Sequence, residues 1–201
     1  MRLLRRTYAY VVVAALAACA GPGGDVVIAV PPHIAVSTPS VLSRLPAMTV
    51  DVRDLREPGG TGVLPGRVGE RKTIGDISMG LVTVTPLPGQ VMAEMLEAEL
   101  KAAGHRIGAD GASAVVEGEI RRFDLRTDVT ALYWDVIGTT SVSVTVVRAG
   151  QSATGQYTAT CQERTYVWPS SDMMARVVSA CLDDIARQFR EDANVAHALG
   201  G

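Results

Sequence analysis

Val142-Ser143-Val144-Thr145-Val146-Val147-Arg148-Ala149-Gly150-Gln151-Ser152-Ala153-Thr154-Gly155-Gln156-Tyr157-Thr158-Ala159-Thr160-Cys161 is the stretch that decides the fold. Val142, Val144 and Val146 alternate with polar residues, then Ala149-Gly150-Gln151 turns the chain. The return arm sets Gly155, Tyr157, Ala159 and Cys161 on one face and Thr154, Gln156, Thr158 and Thr160 on the other. A period of two on both sides of a Gly-containing turn spells a β-hairpin with one buried face. Upstream, Val116, Gly118 and Ile120 alternate with Glu117, Glu119 and Arg121, and Phe123 and Leu125 resume the apolar face after a slip of one residue. A bulge at Arg121–Arg122 produces such a slip.

The elements outside this antiparallel unit are helices and shorter strands. After Trp168-Pro169, Ser170 or Ser171 caps a helix whose stripe is Met174, Val177, Val178, Cys181, Leu182, Ile185 and Phe189, with Asp183 and Arg187 able to pair outside. Met92, Met95, Leu96, Leu100 and Ala103 give a second helix between about 91 and 103, ended by Gly104. Met48, Val50 and Val52 form a half-buried strand, and Leu81-Val82-Thr83-Val84-Thr85 a second. Two helices with one apolar stripe each, over a mainly antiparallel sheet, imply an α+β two-layer sandwich with both helices on one face. The expected divisions are a signal segment over 1–18, a tether over 19–46, a folded domain over 47–192 and a flexible tail over 193–201. Within the tether, Val26-Val27-Ile28-Ala29-Val30 is expected to pair at a sheet edge.

The first eighteen residues read as an address. Arg2, Arg5 and Arg6 precede an uncharged run from Tyr8 to Ala18, too short for a bilayer span and laid out as a secretory signal. General secretion suits it better than twin-arginine export. The run ends Leu16-Ala17-Ala18-Cys19, which resembles the lipobox of bacterial lipoproteins, where the cysteine is acylated and becomes the first residue. A plain cut after Ala20 is the alternative. Acyl chains on Cys19 would hold the protein to the membrane, and Ala20 in place of aspartate favours the outer membrane, facing the periplasm. The chain has 19 Lys+Arg and 21 Asp+Glu; loss of three arginines with the signal leaves 16 against 21, or −5. That balance, with few aromatics, speaks against nucleic acid.

No catalytic constellation stands out. His33, His105 and His197 fall in the tether, at a helix exit and in the tail, with His105 expected at the surface. Glu117, Glu119 and Arg121 read as a solvated charge ladder, and Gly59-Gly60-Thr61-Gly62 lacks the Lys and the strand-to-helix setting of a phosphate loop. No metal or cofactor is expected, since Cys-x-x-Cys and His-x-x-x-His spacings are missing. Cys161 and Cys181 are an even pair in an oxidising compartment: either a disulfide or two separate buried thiols. Tyr133, Trp134 and Trp168 belong either to the core or to a patch contacting a partner or lipid.

The segment Leu81-Val82-Thr83-Val84-Thr85-Pro86, the helix that follows it and Gly104-His105-Arg106-Ile107 resemble the YajG family of bacterial lipoproteins. The hairpin with Tyr157 and the C-terminal amphipathic helix extend the resemblance from Cys19 to about Asp192. It implies one functional residue, the acylated Cys19. The Gly/Pro-rich loop at 57–66 and the pair Cys161 and Cys181 depart from the family pattern. Two functions remain as expectations. One is a non-enzymatic envelope lipoprotein that meets another, unidentified envelope protein. The alternative is an accessory lipoprotein of an ABC-type lipid or lipopolysaccharide transport system.

Overall fold

A computed structural model describes residues 23–36, 39–53, 55–57 and 64–200. In chain order the strands are β1 (Val26–Ala29), β2 (Thr49–Val52), β3 (Arg67–Lys72), β4 (Ser78–Thr85), β5 (Arg106–Ile107), β6 (Ala114–Val129), β7 (Trp134–Arg148) and β8 (Gln151–Thr165). The helices are α1 (Pro88–Ala102), α2 (Ser171–Glu191) and α3 (Ala193–Gly200). All eight strands join one mixed sheet, and the helices cover one face of it, so the α+β sandwich stands.

The long strands β6, β7 and β8 form the antiparallel spine. β7 and β8 pair without interruption from Trp134↔Thr165 to Arg148↔Gln151, around a turn in which Ala149 and Gly150 both have positive φ. Between β6 and β7 the register jumps from Ile120↔Val142 to Arg122↔Ser141, leaving Arg121 as the extra residue of a bulge. The bulge keeps Ile120 and Leu125 on the helix side, both buried. The other edge of β6 takes two parallel partners end to end, β2 near its start and β3 near its finish. β4 pairs antiparallel with β3, and β1 adds in parallel outside β4, at the sheet edge.

The core lies between this sheet and the helices. The α2 stripe from Met174 to Phe189 is buried throughout, and Ser170 Oγ accepts the Met173 N–H as the helix cap. Gly138 on β7 gives α2 room: a Cβ there would lie 3.0 Å from Val177 Cγ1 and 3.4 Å from Cys181 Sγ. Met92, Met95, Leu96 and Leu100 carry α1 into the same core. β8 is the opposite edge strand, and Gln188 of α2 reaches its middle: its amide donates to Thr158 O at 2.9 Å and accepts from Thr158 N at 3.4 Å.

Two regions differ from the sequence reading. The segment expected as a tether contributes to the folded body from Gly23 onward: Ile28, Val30 and Leu42 are buried core residues. The expected flexible tail is helix α3, because Val195, Ala196, Ala198 and Leu199 make an apolar stripe buried against β7 and β8. Asp192 starts it, its carboxylate accepting the N–H groups of Asn194 and Val195. Cys19 and the Gly59-Gly60-Thr61-Gly62 loop lie outside the described residues.

Candidate functional site

Tyr133, Trp134 and Trp168 lie at one end of the sheet. β3 and β6 finish there, β4 and β7 start there, and the chain leaves β8 there for α2. Trp134 and Trp168 pack edge to face with ring centroids 4.6 Å apart, joining the start of β7 to the connection before α2. Arg71 of β3 sets its guanidinium 5.3 Å from the Trp168 ring centroid and donates to the Gly24 carbonyl. Gly24 N–H in turn donates to Met79 O at 2.8 Å. The place where the described chain enters is therefore stitched to the tryptophan pair. All three aromatic residues are half-buried.

Tyr133 has its own partner. Arg164 lies over its ring at 3.8 Å and grips Asp135 with two charge-assisted hydrogen bonds of 2.8 and 2.9 Å. The hydrogen bonds from Arg164 hold the Asp135 carboxyl below the usual carboxylate range, and the same contact raises Arg164. Such a pair is a fixed brace, with its proton-exchange capacity locked out near neutral pH.

A second polar cluster clasps the N-terminal segment to the helices. His33 Nε2 stands 2.7 Å from Glu99 Oε1 on α1, and its Nδ1 stands 3.0 Å from Asp183 Oδ1 on α2. Arg190 reaches the other Glu99 oxygen at 3.3 Å. Glu99 is buried, and its hydrogen bond raises the His33 pKa above the ordinary imidazole value against the opposing effect of burial. Sequence reasoning left His33 alone in the tether because its partners are 66 and 150 residues away. Asp183 therefore pairs with His33, while Arg187 pairs with Asp184 and Glu191 instead.

His105 is a correction as well. It is buried, and burial lowers its pKa, so it is a neutral packing residue and not a surface complement to a helix end. His197 is exposed on α3, and no two histidines come together. Glu117 and Glu119 lie along the open face beside Arg53 and Arg56, with Glu117 and Arg53 paired at 3.4 Å. An open trough of about 640 Å³ between β3 and β6 is lined by charges of both signs, Lys72, Asp76, Arg126 and Asp128 among them. Lys72 pairs with Asp76, and Arg126 with Asp128, which leaves no net field to gather an ionic ligand.

The cysteines do converge. Cys161 pairs with Gly138 across β7 and β8, and Cys181 Sγ lies 3.5 Å from the Gly138 carbonyl. Both are free thiols here, with burial pushing each pKa up. No group of three or more His, Cys, Asp or Glu side chains suited to a metal ion occurs among the described residues.

Comparison with known proteins places this arrangement. The fold matches protein XCC0632 from Xanthomonas campestris with a TM-score of 0.57 and 8% identity, over 86% of this chain and 96% of that one. It also matches an uncharacterized protein with a TM-score of 0.50 and 15% identity, over 73% of this chain and 93% of that one. At those identities the likeness is one of fold. No curated protein matches. The family described as "uncharacterized lipoprotein" matches residues 68–200, from β3 through the end of α3. With the greater part of its length covered by that match, the chain belongs to the uncharacterized lipoprotein family, whose members are held at a membrane of the cell envelope.

Proposed function

We propose that this protein is a non-enzymatic module of the bacterial outer membrane, anchored by acyl chains on Cys19 and presenting its folded body to an envelope protein in the periplasm. The carrying observation is the match to a lipoprotein family in a chain whose lipobox-like Leu16-Ala17-Ala18-Cys19 lies immediately before the folded body. The finer resemblance to the YajG family supports the same residue as the attachment point. The chemistry of the body is in keeping. Among the described residues, several perturbed titratable groups are engaged in braces, His33 with Glu99, Tyr157 with Asp192 and Asp135 with Arg164. Neither the trough nor any other observation favours the accessory role in lipid transport.

Metabolic labelling with a fatty acid tests the anchor. The wild-type protein is expected to incorporate label and sediment with membranes, and Cys19→Ser to do neither. Label retained in Cys19→Ser would refute the assignment. Crosslinking in intact cells, followed by mass spectrometry, identifies the protein that the body meets.

A further inference from the structure

Large apolar side chains stand out from one end of this sheet. Ile74 and Ile77 project from the β3–β4 turn, Leu132 from the β6–β7 turn, and Tyr166 and Val167 from the connection between β8 and α2. Each is between 59% and 78% exposed. Tight turns and connections are ordinarily polar. Three separate turns carrying isoleucine, leucine, tyrosine and valine outward at the same end therefore need a reason. Just behind them sit Trp134 and Trp168, half-buried.

The same end is where the chain comes in. β1 runs parallel to β4, so its first residues lie beside the start of β4, and Gly24 is bonded to Met79 and Arg71. Only five residue steps separate Gly24 from Cys19, a reach of about 18 Å at full extension. The far end, at the Ala149-Gly150 turn, is one strand of 15 residues away, about 50 Å. An anchor at Cys19 thus holds the apolar end, and not the far one, within reach of the bilayer.

Elsewhere the exposed apolar side chains do not gather from several turns: Val27, Ile34 and Val36, 57–85% exposed, follow one another along the N-terminal segment. The open sheet face carries Thr139, Ser141, Thr145 and Glu117, and the outer side of α2 carries Arg176, Arg187 and Glu191. The exposed apolar residues at the far end, Leu64, Leu87 and Val147, stand out less, at 37–55%. Aromatic and aliphatic side chains at a tip, with polar flanks above, suit the headgroup region of a bilayer, where tyrosine and tryptophan concentrate. We infer that the end bearing Ile74, Ile77, Leu132, Tyr166 and Val167 rests in the interfacial layer of the membrane that holds the anchor, so that the sheet stands upright and offers its far end to the periplasm. This rests on acylation of Cys19.

The test uses the full acylated chain on vesicles of phosphatidylethanolamine and phosphatidylglycerol, with brominated acyl chains as quencher. A tryptophan is added at the rim by Leu132→Trp, in the β6–β7 turn, or at the far end by Gln151→Trp, at the first residue of β8, both exposed, with the parent protein as baseline. The emission added by Leu132→Trp is expected to fall about twofold on brominated lipid, since interfacial side chains lie within 5–10 Å of the acyl boundary. That added by Gln151→Trp is expected to stay unchanged. Replacing Leu132, Tyr166 and Val167 together by serine should leave vesicle flotation intact and abolish quenching of the native tryptophans. Equal quenching at both positions, or none at either in protein that floats, overturns the orientation while leaving the anchor standing. Protection of the Leu132→Trp probe from acrylamide without quenching by brominated lipid also overturns it, because a protein partner or second copy then covers the rim. Flotation that survives Cys19→Ser overturns the anchor itself.

Discussion

Replacing His33 by alanine separates the N-terminal segment from both helices, and the cost can be worked from the contacts. The hydrogen bond to Glu99 is 2.7 Å long and buried at the Glu99 end, and one to a charged group contributes about 1.5–3 kcal/mol. The contact with Asp183 is at the surface and adds less than about 1 kcal/mol. Because Arg190 stays on the second Glu99 oxygen, the carboxylate is not orphaned, and the loss should fall short of the 3–5 kcal/mol typical of breaking a buried pair. About 2–3 kcal/mol is expected at about pH 6. The pKa of His33 is raised in the folded state, so its charge-dependent stabilisation is complete below the unfolded value near 6.5 and is lost as pH rises through the higher folded value. His105 has the opposite shift, so its contribution is lost as pH falls below that value, but it is common to both proteins and cancels in the difference. Urea unfolding of wild type and His33→Ala at about pH 6 and about pH 9 should show the gap shrinking to about 1 kcal/mol at the higher pH. A gap independent of pH, or below about 0.5 kcal/mol throughout, would refute the clasp as a charged contact.

Three further outcomes follow from packing. Gly138→Val pushes methyl groups into Val177 and Cys181 and should cost about 1–3 kcal/mol in chemical denaturation, with Gly138→Ala milder. Leu199→Ala, fully buried in α3, should lower stability by about 2–4 kcal/mol and raise hydrogen exchange along the start of β8; no effect would mean that α3 is not docked. Cys161 and Cys181 are expected to join as a disulfide in protein matured in an oxidising compartment, closing a loop of about twenty residues that contributes about 3 kcal/mol in the entropy treatment. Intact mass after alkylation, with and without reductant, checks it, and two alkylated thiols without reductant would reject it.

What could be read beforehand was local. The β7–β8 hairpin, the bulge at Arg121 and the α2 stripe are spelled by periodicity within a few residues, and each is present as spelled. β3 was invisible because Arg67-Val68-Gly69-Glu70-Arg71-Lys72 has one aliphatic residue in six; its place between β4 and β6 is decided by pairing, not by its own pattern. The α3 helix did leave a trace, since Asp192 followed by Val195, Ala196, Ala198 and Leu199 is a cap and a helical stripe. The small residues and the terminal glycines masked it. The His33 clasp and the apolar rim could not be found locally, because each gathers residues from segments that only the completed sheet brings side by side. Trp134 and Trp168 were legible as candidates, yet their contact depends on the 33 intervening residues folding back as β7 and β8.

Gln188 has one consequence for life on a surface. An outermost strand as long as β8 offers open amides on which a neighbouring chain's strand can add. Anchoring crowds copies into two dimensions and raises their effective concentration, the condition under which such growth becomes dangerous. By bonding both main-chain groups of Thr158, the glutamine amide occupies the midpoint of that ribbon with a side chain that cannot propagate it. A single amide thus closes the midpoint of that exposed edge to a neighbouring strand.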